Sequence, residues 1–455
     1  MGRHNHFTIS ASWASSRIEA GTLTMVEYVS SLLGRYEAWD QQVQAWATIE
    51  PGSIIQQARE IDQIPSEQRG CLHGFVIGVK DAIHTKDLPT RHGSPIYATD
   101  GPLYDASCVT LLRMHGALIM GKTTTTEFTA TFEGPGTKNP HDLNRTPGGS
   151  SSGSAAAVAD LQVPIALCTQ TVGSTIRPAS YTGIYTFKPT WNTVSPEGQK
   201  VTSLTLDTFT VISRSVEDLQ QLTDGLALCD VKPPLPLSEM LKDSRFAMVK
   251  TSQWPNAGPA TIEAMDRATR ILRQAGAHVT KLTLPVEFND VFHLQNEVLG
   301  NEIGTALHYE FKTYGHLMSG DLSQILSIVD TGSKQAYLDA LNTIAVLRPR
   351  FDKIASSFTA VVTPNAVDVA PVGTHTGSSD FNAMWTALHV PVIHIPGFQG
   401  EDGLPVGLSI VTASFKDRHL LQVAKLIGQL FAREGRSMRA TCTPVMPADV
   451  TESRR

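Results

Sequence analysis

No apolar run of this 455-residue chain is long enough for a membrane-spanning helix: runs such as 117–120 fall far short of the roughly 20 residues that one needs. The first residues, Met1-Gly2-Arg3-His4-Asn5-His6, lead into Ser, Thr and Trp rather than an apolar signal core, so secretion is not expected. His4 and His6 read as solvated tail. Cysteine is scarce. Cys71, Cys108, Cys168, Cys229 and Cys442 are odd in number, scattered and without a CxxC pair, which suits a reduced cytoplasmic protein rather than a disulfide or zinc framework. There is no His-Glu-x-x-His, so no metal and no other cofactor is expected. No serine stands three residues before a lysine, which excludes a penicillin-recognising Ser-x-x-Lys enzyme. With 37 Lys and Arg against 43 Asp and Glu, net charge −6 and no basic stripe, nothing suggests a nucleic-acid partner.

What the chain does have is glycine and serine, concentrated between residues 147 and 177. Pro147-Gly148-Gly149-Ser150-Ser151-Ser152-Gly153-Ser154 is followed, after a short apolar run, by Thr169-Gln170-Thr171-Val172-Gly173-Ser174-Thr175-Ile176-Arg177. Two serine-bearing glycine turns thus frame one short strand. Glycine lets backbone N–H groups converge on a point, and a serine in that field can carry charge that a solvated serine cannot. Chemistry at a carbonyl follows as the expectation.

The pattern around these turns is α/β. Thr24 and Glu27 form a capping box ahead of Val29, Leu32, Leu33 and Tyr36, which predicts an amphipathic helix over 24–38. Asp105 is positioned to cap a helix ending at Gly116. Residues 75–79, 117–120 and 163–168 are short apolar runs suited to buried parallel strands. Residues 154–159 read as a helix whose free N–H groups point toward the serine turns. Past residue 230 come a stiff connector, Lys232-Pro233-Pro234-Leu235-Pro236, helices over 259–276 and 288–314, a strand-like 277–284, and sheet pattern again at 359–364.

The glycine- and serine-rich segment resembles the signature of the amidase signature family, whose catalytic unit is a Ser-Ser-Lys triad. The resemblance places the nucleophile at Ser174, the bridging serine at Ser150 beside a cis peptide bond, and the lysine at Lys80, which closes Phe75-Val76-Ile77-Gly78-Val79-Lys80. It also implies that the N–H groups of Thr171, Val172, Gly173 and Ser174 surround the oxyanion. Similarity extends over Gly121-Lys122-Thr123, Phe187-Lys188-Pro189-Thr190, Leu206-Asp207, 214–218 and 402–408, while 230–350 match little. Gln170 stands where many members carry Asp, Thr186 replaces a Gly, and Arg177 lies three residues after Ser174 rather than two.

The fold that this implies is α/β, a large central mixed β-sheet covered by helices on both faces. Residues 1–455 then form one domain: an N-terminal helical region (1–60), a catalytic core (61–230), a mostly helical subregion shaping the substrate pocket (230–350) and the C-terminal part of the core (351–455). The implied substrate is a small amide or carbamate. A glutaminase subunit of a tRNA-dependent amidotransferase is the alternative that would require partner chains. Otherwise a monomer or homodimer suffices.

Each residue also has a plainer reading. Lys80 could lay its stem on the core and pair its head with Asp81, Ser150 to Ser152 could be a capping turn, and Ser174 a turn serine before Pro178. Two further motifs compete. Gly116-Ala117-Leu118-Ile119-Met120-Gly121-Lys122-Thr123 matches a phosphate loop letter for letter, but its middle is strand-like and a helix precedes it. Gly149-Ser150-Ser151-Ser152-Gly153 fits a nucleophile elbow, with Ser151 served by His389 or His394, but the residues before it are a turn, not a strand.

Overall fold

The computed structural model describes residues 5–101, 103–231, 244–329 and 333–435. His4, Cys442 and the connector at 232–236 lie outside them. Eleven strands form one sheet: β1 (Trp46–Ile49), β2 (Val76–Lys80), β3 (Leu118–Thr123), β4 (Ile165–Gln170), β5 (Tyr185–Lys188), β6 (Thr208–Ser213), β7 (Arg245–Val249), β8 (His278–Leu282), β9 (Ala360–Pro364), β10 (Val392–Gln399) and β11 (Pro405–Val411). Their order is β1-β3-β2-β4-β6-β5-β10-β11-β9-β7-β8. The sheet is mixed: β2 runs parallel to β3 and β4, whereas β4, β6, β5, β10, β11 and β9 pair antiparallel in turn.

The apolar runs are continuous because both faces of this sheet are covered. Ile77 and Val79 of β2, Ile119 of β3, and Ile165 and Leu167 of β4 enter one core. Their alternate neighbours Val76, Leu118, Met120, Ala166 and Cys168 enter the core on the other face. Helices Ser107–Met114, Val216–Gly225, Pro259–Gln274 and Asp417–Gly435 cover the first face, and Met25–Val43 with Ser152–Ala159 cover the second. This is the α/β arrangement that the resemblance implies, a large mixed sheet covered by helices on both faces.

The helix expected over 24–38 begins with the expected capping box at Thr24 and continues to Val43. Asp105 is not a cap. The helix Ser107–Met114 has Ala106 at its N-cap, while the Asp105 carboxylate accepts from the Lys86 N–H and pairs with Arg113 at 3.2 Å. The single helix expected over 288–314 is two, Val291–Ala306 and His308–Tyr314, parted at Leu307, whose ψ of 13° breaks the helical path. β7 was not foreseen, and with β8 it extends the sheet at one edge, so residues 245–282 add strands as well as helix. Among the described residues no helix is long and apolar enough to cross a membrane.

Candidate active site

β2 and β4 are parallel neighbours, so Lys80 and the Thr169-Gln170 end of β4 emerge at the same edge of the sheet. Lys80 has no solvent exposure. Its Nζ lies 2.8 Å from Ser150 Oγ, 3.2 Å from the Thr169 carbonyl and 3.3 Å from Thr169 Oγ1. Burial in this apolar strand end pushes the Lys80 pKa down to about 8, with Cys168 and Asp207 opposing the shift. Asp81 is not its partner, because that carboxylate accepts the Arg91 N–H and lies 3.8 Å from Lys122.

Ser150 follows a cis peptide bond from Gly149, in the loop that enters helix Ser152–Ala159. Arg177 holds this loop: one Nη donates to the Gly149 carbonyl at 2.5 Å and the other to Gly377 at 2.9 Å. Gly148 takes φ +86°, and a Cβ there would meet Pro178 Cα at 2.9 Å, so only glycine fits. The Ser151 N–H donates to the Ser174 carbonyl at 3.0 Å and ties the two serine turns together.

Ser174 is half-buried, and it lines one cavity together with Ser150, Thr171, Val172 and Gly173. Phe132, Leu299 and Ile303 supply apolar wall to that cavity. The N–H groups of Val172, Gly173 and Ser174 have no acceptor among the described residues, whereas the rest of the turn is pinned. Thr171 Oγ1 donates to Asp207 at 2.6 Å, and Asp207 also accepts the Thr202 and Ser203 N–H groups. Burial lifts the Asp207 carboxyl to about 6.

Gln170 accounts for one departure from the family pattern. Its Oε1 accepts from the N–H groups of Thr175 and Ile176, both at 3.0 Å, where helix Ile176–Thr182 begins. Its Nε2 donates to Thr386 Oγ1 at 3.2 Å, and that hydroxyl donates to the Val172 carbonyl at 2.7 Å. A carboxylate could accept but could not make the second link. Thr186 is equally accommodated, its hydroxyl donating to the Val211 carbonyl at 2.8 Å.

The competing motifs are otherwise engaged. Ser151 is fully buried with its Oγ 3.3 Å from Thr175 Oγ1. His389 bonds the Thr205 carbonyl, and His394 bonds Asn365. Lys122 sits inside β3 and donates to Ile83 and Thr90, so its segment cradles no phosphate. Sequence reasoning missed Thr169 and Thr386 as site residues. Thr169 is placed by the strand beside Lys80, and nothing local marks Thr386, which arrives from a helix 216 residues beyond Gln170.

An Amidase family model matches residues 27–421. The chain belongs to the amidase signature family. It is an amide-cleaving enzyme. The glutamyl-tRNA(Gln) amidotransferase A subunit of Lysinibacillus sphaericus (strain C3-41) is 30% identical to it, over 93% of this chain and 96% of that protein. A solved amidase that is 28% identical superposes with TM-score 0.82, covering 93% of this chain and 100% of its own. The native peptide amidase of Stenotrophomonas maltophilia, 26% identical, gives TM-score 0.77 over 95% and 97% of the two chains.

Proposed function

We propose that this amidase cleaves the C–N bond of small amides through an acyl-enzyme on Ser174, with Ser150 relaying protons to Lys80. The Lys80–Ser150 contact at 2.8 Å, with both serines lining one cavity, carries this reading. A neutral amine has two N–H bonds and one lone pair. Thr169 offers two acceptors to Lys80, its carbonyl and its hydroxyl, which leaves the lone pair for the Ser150 O–H. As Ser174 Oγ bonds to the carbonyl carbon, its proton passes to Ser150 and that of Ser150 to Lys80. The oxyanion is met by the N–H groups of the turn from Thr171 to Ser174. The proton returns by the same path to the leaving nitrogen, the C–N bond breaks, and water repeats the sequence to release the acid.

Carbamates carry the same carbonyl, and the triad alone does not discriminate against them. Similarity to amidotransferase A subunits supports a second reading, glutamine hydrolysis within a complex. A panel of aryl amides, short aliphatic amides, carbamates and glutamine, offered to the purified chain, separates these readings. Hydrolysis of amides by the chain alone is expected, and activity confined to glutamine with added partner subunits would overturn the stand-alone assignment. A cytoplasmic location, consistent with four unpaired cysteines among the described residues, belongs to the same proposal, as does the expectation that neither metal nor cofactor is needed.

The Gln170–Thr386–Val172 chain should hold the oxyanion donors in place. Thr386→Val is expected to lower kcat by about tenfold with KM little changed, and Thr386→Ser to restore it. Gln170→Leu, which frees two N–H groups beside the turn, should cost about 10² or more in kcat. Steady-state kinetics on one amide substrate checks both. A Thr386→Val enzyme with unchanged kcat would remove the hydroxyl from this role.

A further inference from the structure

A second cavity, of about 280 Å³, is lined by Thr169 and Asp207, two residues of the framework of the site. Thr169 both bonds Lys80 and lines this cavity. One wall is Trp191, stacked on His389 at 4.3 Å between ring centres and 15° between planes. His389 is itself fixed by the bond of its Nε2 to the Thr205 carbonyl at 2.7 Å, so the indole is held before any ligand arrives. Phe209 of β6 is also in the lining, and Leu204, 70% exposed, stands where the cavity meets solvent.

The charge in this space is not neutralised at contact distance, although the buried Lys80 ammonium acts on Asp207 from farther off. Asp207 is half-buried and accepts three hydrogen bonds, from Thr171, Thr202 and Ser203. A carboxylate has about four lone-pair positions, so one remains. Among the described residues no cationic side chain lies within ion-pair distance of it. Lys200 also lines the cavity, but its ammonium is paired with Glu310, which Tyr97 additionally holds at 2.9 Å. A partly desolvated carboxylate beside aromatic wall is an arrangement that favours a cation with an apolar body.

We propose that this cavity is a binding site for a small primary ammonium borne on a flat apolar group, its N–H donors on Asp207 and its ring against Trp191 and Phe209. Such a ligand would sit within reach of the same threonine that holds Lys80, in a space separate from the one that holds Ser174.

Ligand-observed NMR titration of the full chain with benzylamine, benzyl alcohol and phenylacetate tests this. Benzylamine is expected to bind saturably and about tenfold tighter than benzyl alcohol, with phenylacetate not binding. Val201→Trp and Val194→Phe, which fill the cavity from its wall, should each abolish benzylamine binding while circular dichroism confirms the fold. Asp207→Asn should erase the preference for the amine over the alcohol. Absence of saturable benzylamine binding, equal affinity for all three probes, or binding that survives in both filled variants would overturn the proposal. Either filled variant suffices if the other fails to fold.

Discussion

Ser174→Ala is expected to give a folded protein that no serine-directed fluorophosphonate labels and whose amide turnover falls by about 10⁴-fold or more. Ser174 is the serine that combines partial exposure in the cavity with a turn whose N–H groups lack acceptors. Its neighbour in the other turn, Ser151, is fully buried, so Ser151→Ala should leave labelling in place. Digestion and mass spectrometry of the labelled wild type should find the adduct on the peptide containing Ser174. An adduct on Ser151, or an active Ser174→Ala enzyme, would sink the assignment of the nucleophile. The residual rate left in Ser174→Ala would measure what the oxyanion turn and binding supply without covalent chemistry.

The sequence was legible where local pattern and tertiary environment agree. Residues 75–79, 117–120 and 163–168 read as buried strands because successive side chains fill two opposite cores, which requires apolar residues at every position rather than at alternate ones. The Thr24 capping box was readable because its partners are three residues apart. Asp105 misled because local spacing says nothing of Arg113 and the Lys86 N–H, which compete for its carboxylate. β7 escaped because its neighbours β8 and β9 are far along the chain and its five residues alone carry no helix or strand period.

The candidate site divides in the same way. Lys80, Ser150 and Ser174 stand in local motifs, and the structure brings the first two into contact and the two serines to one cavity. What pins the turn comes from distant elements: Thr386 from the short helix Ala383–Ala387, Asp207 from the residue before β6, and Arg177 through Gly377. Leu299 and Ile303 reach the cavity from helix Val291–Ala306, in the part of the chain with least resemblance to the family. Pocket shape, and with it substrate preference, is therefore written in long-range packing rather than in the signature itself.

Replacing Lys80 should have an effect as large as replacing the nucleophile, and it should carry a signature in pH. Burial holds the Lys80 pKa down to about 8, and only the neutral amine can accept a proton from Ser150. At pH 7 roughly a tenth of the molecules then carry neutral Lys80, so kcat/KM should climb nearly tenfold per unit below pH 8 and level off above it. An imidazole limb near 6.5 is not expected, since burial pushes both His389 and His394 down to about 3. Lys80→Ala should abolish turnover, and Lys80→Arg should fail as well, because a guanidinium does not give up its proton usefully. Ser150→Ala should be severely impaired yet less so than Ser174→Ala, because water can stand in for the relaying hydroxyl. Stability gives an independent reading of the same group. The unfolded chain binds a proton at Lys80 up to about 10.5 and the folded chain only to about 8. Wild-type stability should therefore rise with pH across that window relative to Lys80→Met, whose comparison cancels the titration of Lys122 and Lys188. Chemical denaturation of the two proteins at pH 7.5, 9 and 10 measures the difference, and pH–rate profiles of wild type and variants measure the first effect. A folded Lys80→Ala enzyme with near wild-type turnover would exclude the lysine relay, and a flat stability difference would show that Lys80 is not held at a lowered pKa.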